Sequence, residues 1–283
     1  MDLAGGRGKR ASMEKTLTEN LTGILKRHGY ENPVFCGKGS FSTVYRVRDE
    51  KGHFLACKIA EDCAQWRREC DIWQEIRHPR FPSYREHWTE EKVGYLIMDY
   101  WEGMDLRKML ERRGRLTVAQ TVRIADQVAE GLQYLHERPH PYLYRDLKPE
   151  NIRIRADGSV GIMDLGCLWN AKQEWSGAGN YTYSAPEQFV PGEIPGEESD
   201  VYAVGRLLAV MSENIPKKYG KRNSRLKWLS RLVVMATEEE RKERIPDMRT
   251  FRRLLRAMDA PRRVRRHVME AADFYFVRKV HYP

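Results

Sequence analysis

The chain has 283 residues, 41% hydrophobic and 10% aromatic, enough for one large domain or two lobes packed around a cleft. Charged residues make up 32%, and the formal net charge of +10 suits acidic peptides, nucleic acid or an anionic membrane surface without selecting among them. No run of about 18 apolar residues occurs, which argues against a membrane-spanning helix. The first residues lack the apolar stretch of a secretory signal, so cytoplasm is the expected address. Cys36, Cys57, Cys63, Cys70 and Cys167 form no Cys-x-x-Cys pair. That spacing argues against a zinc site or a disulfide framework, and they are read as reduced thiols.

Residues 1–12 are rich in glycine and basic residues and are expected to be disordered. Residues 14–28 read as an amphipathic helix, with Leu17, Leu21 and Leu25 four apart. Short β runs follow at Val34–Cys36, Val44–Arg48 and Phe54–Ile59, separated by turns carrying Gly37, Gly39 and Gly52. A helix is expected over 62–77, with Trp66, Cys70, Trp73 and Ile76 on one stripe, then strands near 84–88 and 93–98. Beyond Tyr100 the character turns helical. A long helix over 117–136 opens at Thr117, and further helices are expected at 199–213, 225–236 and 247–258. The most apolar stretch, Val201–Met211, is broken by Gly205 and Arg206 and reads as a buried helix. Between these helices, Ile152–Arg155 and Val160–Met163 flank the Asp157-Gly158 turn as a hairpin. The pattern predicts an α+β protein with a small antiparallel β lobe carrying one main helix and a larger, mostly helical lobe.

Several motifs carry chemistry. Gly37-Lys38-Gly39-Ser40-Phe41-Ser42-Thr43-Val44 lies between two predicted strands, and glycines there let the backbone approach a phosphate closely. An ordinary hairpin turn would look the same. Fourteen residues after Val44, Lys58 stands in an apolar strand and requires an anionic partner, because burying an unpaired ammonium is costly. Glu69 on the following helix is the candidate, and a purely structural ion pair is the plainer reading. Next come Tyr144-Arg145-Asp146-Leu147-Lys148-Pro149-Glu150-Asn151, then Asp164-Leu165-Gly166, Ala185-Pro186-Glu187, and Asp200.

With these residues in this order, residues 31–258 resemble the eukaryotic-type (Hanks-type) serine/threonine protein kinase family. The resemblance implies an enzyme that uses ATP and Mg2+ to phosphorylate protein substrates, itself included. It divides the chain into a basic N-terminus (1–12), a helical extension (13–30), the kinase domain (31–258) and a basic, aromatic tail (259–283). Within the domain it implies an N-lobe (31–98), a connector (99–103) and a C-lobe (104–258). By the same resemblance, Lys58 would hold the α- and β-phosphates and pair with Glu69, Asp146 would orient the acceptor hydroxyl, and Lys148 would steady the γ-phosphate. Asn151 and Asp164 would hold magnesium. Gly37, Lys38, Gly39 and Ser40 would cover the phosphates. Val44, Ala56 and Met98, the backbone of Asp99 and Trp101, and Arg153 would surround the adenine. Glu187, Arg244 and Asp200 are expected to be architectural.

Departures from the family pattern are visible. Tyr144 stands where histidine is commoner and Leu165 where phenylalanine is, in a column that Trp73 and Tyr84 are expected to complete. Asn180 replaces a threonine that bonds the catalytic aspartate and lysine, and Arg153 replaces an apolar residue below the adenine, where its stem packs or its guanidinium stacks. Arg145 resembles the arginine that clamps a phosphorylated loop, with Ser176 as the expected phosphosite. A short segment at 214–224 and the run Ser184–Phe189 look like compact bacterial members. Two rivals remain: a catalytically impaired scaffold that only binds nucleotide, and a small-molecule phosphotransferase. The tail's Arg262, Arg263, Arg265, Arg266, Phe274, Tyr275 and Phe276 suit an anionic surface, or a helix packing on its own domain.

Overall fold

A computed structural model describes residues 20–39, 41–113, 116–170, 180–216, 224–261, 263–265 and 268. The basic N-terminus, Leu17, Ser40, Ser176 and the aromatic end of the tail lie outside the described residues. Two compact units divide the chain. One takes the residues up to Ile76 together with Pro82–Trp101, and the other takes Arg77–Phe81 together with the residues from Glu102 onward.

The first unit is a five-stranded antiparallel sheet in the order β1-β2-β3-β5-β4, with helix α1 (20–27) on one face. Its strands are β1 (Tyr30–Lys38), β2 (Ser42–Asp49), β3 (Phe54–Glu61), β4 (Tyr84–Glu90) and β5 (Val93–Asp99). Alternation along the strands sends Val47, Leu55, Cys57, Tyr95 and Ile97 to one side, where they bury with Leu21, Ile24 and Leu25 of α1. The end of α1 is fastened by His28 stacked on Trp88 at 3.9 Å and by an Arg27–Glu90 ion pair. Helix α2 (Ala64–Glu75) has no side-chain cap and no acidic first turn, so packing holds it: Trp66, Cys70, Ile72 and Trp73 are buried, as the stripe predicted. Trp66 lies over Gly94, where an added Cβ would fall 2.2 Å from the indole.

The second unit contains a small sheet of β6 (Met104–Asp105), β7 (Ile152–Ile154) and β8 (Val160–Ile162), with helices α3 (Leu106–Arg113), α4 (Val118–His136), α5 (Glu197–Glu213), α6 (Ser224–Ala236) and α7 (Met248–Ala257). Thr117 caps α4 through a reciprocal box: Gln120 N donates to Thr117 Oγ1 at 3.1 Å, and Thr117 N donates to Gln120 Oε1 at 2.9 Å. Helix α5 is the buried helix expected, with Val201, Val204, Leu207, Leu208 and Met211 at 0% exposure. α7 lies on α4 through Arg249–Glu137, Arg252–Asp126 and Arg256–Asp126 pairs. The sequence reading missed α3 and β6. α3 is eight residues with only Leu106, Met109 and Leu110 apolar, too short for its period to stand out. Among the described residues no helix is long and apolar enough to cross a membrane.

Candidate active site

In the first unit, the β1–β2 turn closes where Gly39 N donates to Ser42 O at 2.8 Å. A Cβ at Gly37 would meet nothing within 4 Å, and one at Gly39 nothing nearer than Ser42 O at 3.7 Å. Neither glycine is demanded by a contact among the described residues. The β2–β3 register sets Val44 opposite Lys58, and the β3–β5 register sets Ala56 opposite Met98. By strand alternation Ala56 and Lys58 share the face turned away from α1. Lys58 has the anionic partner its burial required: its Nζ lies 2.6 Å from Glu69 Oε1, with both residues under a tenth exposed. Trp73 Nε1 donates to the same carboxylate oxygen at 3.3 Å, fixing its rotamer along α2. At the end of β5, Asp99 N donates to Ser83 O at 2.9 Å and its carboxylate accepts from Arg85 Nε at 2.7 Å.

In the second unit, Asp146, Lys148 and Asn151 meet. Lys148 Nζ donates to Asp146 Oδ2 at 2.6 Å, and Asn151 Nδ2 donates to Asp146 O at 2.9 Å and Oδ2 at 3.2 Å. Burial works to strip the proton from Lys148, but its bond to Asp146 and the nearby charge of Asp164 outweigh that and raise its pKa, so it stays cationic. Asn151 O accepts from Met163 N at 2.8 Å, joining this turn to the end of β8, just before Asp164. Asp164 has a left-handed φ of 53°, and its Oδ1 accepts from Gly166 N at 3.1 Å. Asn151 donates its amide hydrogens to Asp146, and its amide oxygen and the Asp164 carboxylate are both hard oxygen donors. That donor set fits magnesium.

The loop before Asp146 is held by Asp200 of α5, which is fully buried. Its Oδ2 accepts from Tyr144 N at 2.7 Å and its Oδ1 from Arg145 N at 3.0 Å. Arg145 has φ 67°, an unfavourable conformation for a non-glycine residue, and its carbonyl accepts from Ser184 Oγ at 3.1 Å and Gln188 Nε2 at 3.3 Å. The Arg145 side chain is buried and its Nε donates to Cys167 O at 2.7 Å. Tyr144 is buried, its phenol pKa pushed up by burial, and it donates to Met163 O at 2.6 Å.

His136, which carried no sequence signal, completes the anchor: its Nε2 lies 2.8 Å from Asp200 Oδ2 and its Nδ1 3.5 Å from Glu197 Oε2. Burial opposes its charge, yet the hydrogen bond to Asp200 and the negative charges of Asp200 and Glu197 prevail and raise its pKa to about 9. Glu187 and Arg244 form a buried bidentate pair at 2.6 and 3.2 Å, with Ser199 Oγ donating to Glu187 at 2.7 Å. Among the departures, Asn180 Oδ1 accepts from Thr182 N at 2.9 Å and closes a local turn. Arg153 Nη2 donates to Gly103 O at 2.7 Å. Gly103 itself was not singled out from sequence, although its φ of 124° and the 2.2 Å approach of Ile154 O to an added Cβ admit only glycine.

A five-stranded antiparallel sheet with one braced helix, a mostly helical second unit, and an aspartate-lysine-asparagine loop fixed by a buried aspartate together define the protein kinase fold. The protein kinase domain profile matches residues 30–272, and the chain belongs to that family. It is 31% identical over 208 residues to the "Probable serine/threonine-protein kinase MRK1 homolog" of Encephalitozoon cuniculi, covering 70% of this chain and 64% of that protein. It is also 31% identical over 206 residues to "Aurora/IPL1-related protein kinase 2" of Caenorhabditis briggsae, covering 67% and 66%. Against the "Aurora kinase" of Candida glabrata it is 30% identical over 221 residues, covering 73% and 60%. The chain therefore spans just under two thirds of the length of these relatives.

Proposed function

We propose that this chain transfers the γ-phosphoryl group of ATP to serine or threonine hydroxyls of proteins, itself among them, from a catalytic domain spanning residues 31–258. The observation that carries the reading is the Lys148–Asp146–Asn151 cluster, built on a loop whose strained backbone Asp200 holds in place. Asp146 takes the proton of the acceptor hydroxyl as that oxygen bonds to the γ-phosphorus and the bond to the β-phosphate oxygen breaks, releasing ADP. Lys148 stays protonated and offsets charge on the phosphoryl oxygens. Lys58, oriented by Glu69, holds the α- and β-phosphates. The open space above Gly37 and Gly39 admits a phosphate to the backbone, with Lys38 beside it. Val44, Ala56 and Met98, with the main chain at Asp99 and Trp101, bind the adenine ring. Asn151 and Asp164 hold magnesium, which supplies charge neutralisation when bound.

The scaffold reading is favoured by one observation, Arg153, whose guanidinium is bonded to Gly103 O where the family has an apolar residue. The two readings separate in a labelled-phosphate assay with ATP and magnesium, using the protein itself, a generic basic protein and a generic acidic protein as acceptors. Wild type is expected to label serine or threonine, and Asp146→Ala and Asp164→Ala to abolish the label while melting as cooperatively as wild type. Nucleotide binding by folded wild type without any transfer would favour the scaffold.

A further inference from the structure

Three segments adjoin the loop that carries Asp146: the turn at Pro149–Asn151 that follows it, α3, which is bonded to that turn at Glu150, and residues 180–188, which are bonded to Arg145 O through Ser184 and Gln188. One side chain reaches across all three. Arg107 of α3 donates from Nε to Glu150 Oε1 at 2.8 Å, and its positive charge acts on Tyr183 of the third segment. The Arg107 and Glu150 side chains are 41% and 45% exposed, so this charged pair stands at the surface four residues from Asp146. Arg206, whose Nε donates to Thr182 O at 3.1 Å, adds a second guanidinium to the same segment.

Resting on the phosphotransfer reading, we propose that Arg107 is a specificity-determining residue that neutralises Glu150, so that the enzyme takes acceptor segments with neutral or acidic residues beside the serine or threonine, not basic ones. Without Arg107, an exposed carboxylate so close to the acceptor hydroxyl would attract a substrate lysine or arginine. With it, a substrate cation must displace a guanidinium already attached to the chain. A group tethered this closely competes at an effective concentration on the order of millimolar. The exchange also replaces one ion pair by an equivalent one, so it brings the substrate no net attraction. A substrate carboxylate meets the mirror-image competitor at Arg107, namely Glu150, but it also faces Arg206, whose Nε bonds to the Thr182 carbonyl rather than to a carboxylate. Discrimination here arises from an element that removes an attraction as much as from one that supplies it.

The test uses the full chain and three peptide sets identical except for arginine, alanine or glutamate at the positions flanking a single serine, read as kcat/KM. Wild type is expected to use the alanine and glutamate sets at least as well as the arginine set. Arg107→Ala should raise the arginine-to-alanine ratio by a factor of about two to five, the range an exposed pair supplies, and Arg107→Glu should raise it further. Adding Glu150→Gln to Arg107→Ala should cancel the gain, which a merely structural effect of the substitution would not do. A wild-type preference for the arginine set, or ratios unmoved by Arg107→Ala and Arg107→Glu, would overturn this proposal and leave phosphotransfer standing. No transfer to any peptide or protein would overturn both.

Discussion

Replacing Arg244 by methionine tests how the second unit is held together. Arg244 is 1% exposed, and its guanidinium makes five hydrogen bonds: two to Glu187 and one each to the carbonyls of Glu238, Glu198 and Glu239. The methionine fills most of the volume but leaves the 3%-exposed Glu187 carboxylate with Ser199 Oγ as its remaining side-chain donor. Breaking one side of such a buried pair costs about 3–5 kcal/mol. For a domain of this size each kcal/mol shifts Tm by about 2–4 °C, so a fall on the order of 10 °C is expected in a thermal melt. Arg244→Met with Glu187→Leu should recover much of that loss, because no unpaired charge then stays buried. Burial on its own would raise the Glu187 carboxyl, but Arg244 and Ser199 outweigh it and hold it below its ordinary value. Its contribution is therefore complete above the unfolded value of about 4.3 and is lost as pH falls through the lowered folded one. The Tm gap between wild type and Arg244→Met should narrow on acidification. A single variant that melts within about 2 °C of wild type, or single-variant losses that simply add in the double, would refute the reasoning.

His136 gives the opposite pH sign. Its folded pKa, raised to about 9, makes its contribution complete below the unfolded value of about 6.5 and lost as pH climbs through 9. His136→Gln should flatten the alkaline fall of Tm, and a wild type losing no more stability than this variant over that range would count against a cationic His136. Two glycines make a contrast: Gly94→Ala forces a Cβ to 2.2 Å from Trp66 and should cost about 1–3 kcal/mol. Gly37→Ala, with nothing within 4 Å, should melt like wild type but raise the KM for ATP, measured by initial rates at saturating acceptor. Equal melting temperatures for the two variants would show that the packing over Gly94 is looser than its geometry implies.

The candidate site was legible in the sequence wherever chemistry demands particular residue types at short spacing. Asp146, Lys148 and Asn151 lie within six residues of one another, so one loop conformation brings them together, and the sequence order is nearly the spatial order. The Thr117 cap, the Trp66–Cys70–Trp73 stripe and the buried α5 were readable for a related reason, since helix period and capping are local properties. Even the partner of Lys58 could be anticipated, because a lysine in an apolar strand requires an anion and Glu69 stood on the stripe of the next helix.

Other features belong to groups distant along the chain, which only tertiary structure brings into contact. His136 and Asp200 are 64 residues apart, Arg107 and Glu150 are 43 apart, and Arg153 and Gly103 are 50 apart. A histidine ending an amphipathic helix looks like any other until two carboxylates are folded against it, and only then does burial make its charge matter. Asn180 closing its own turn and Gly103 excluding any Cβ were settled by the same kind of contact. The sequence by itself determined the family, the β-then-α order of the two units and the side chains of the candidate site. Which charges stand free and which are already neutralised was decided by the fold, because an ion pair is a property of distance and solvent exclusion, and neither is written in residue spacing.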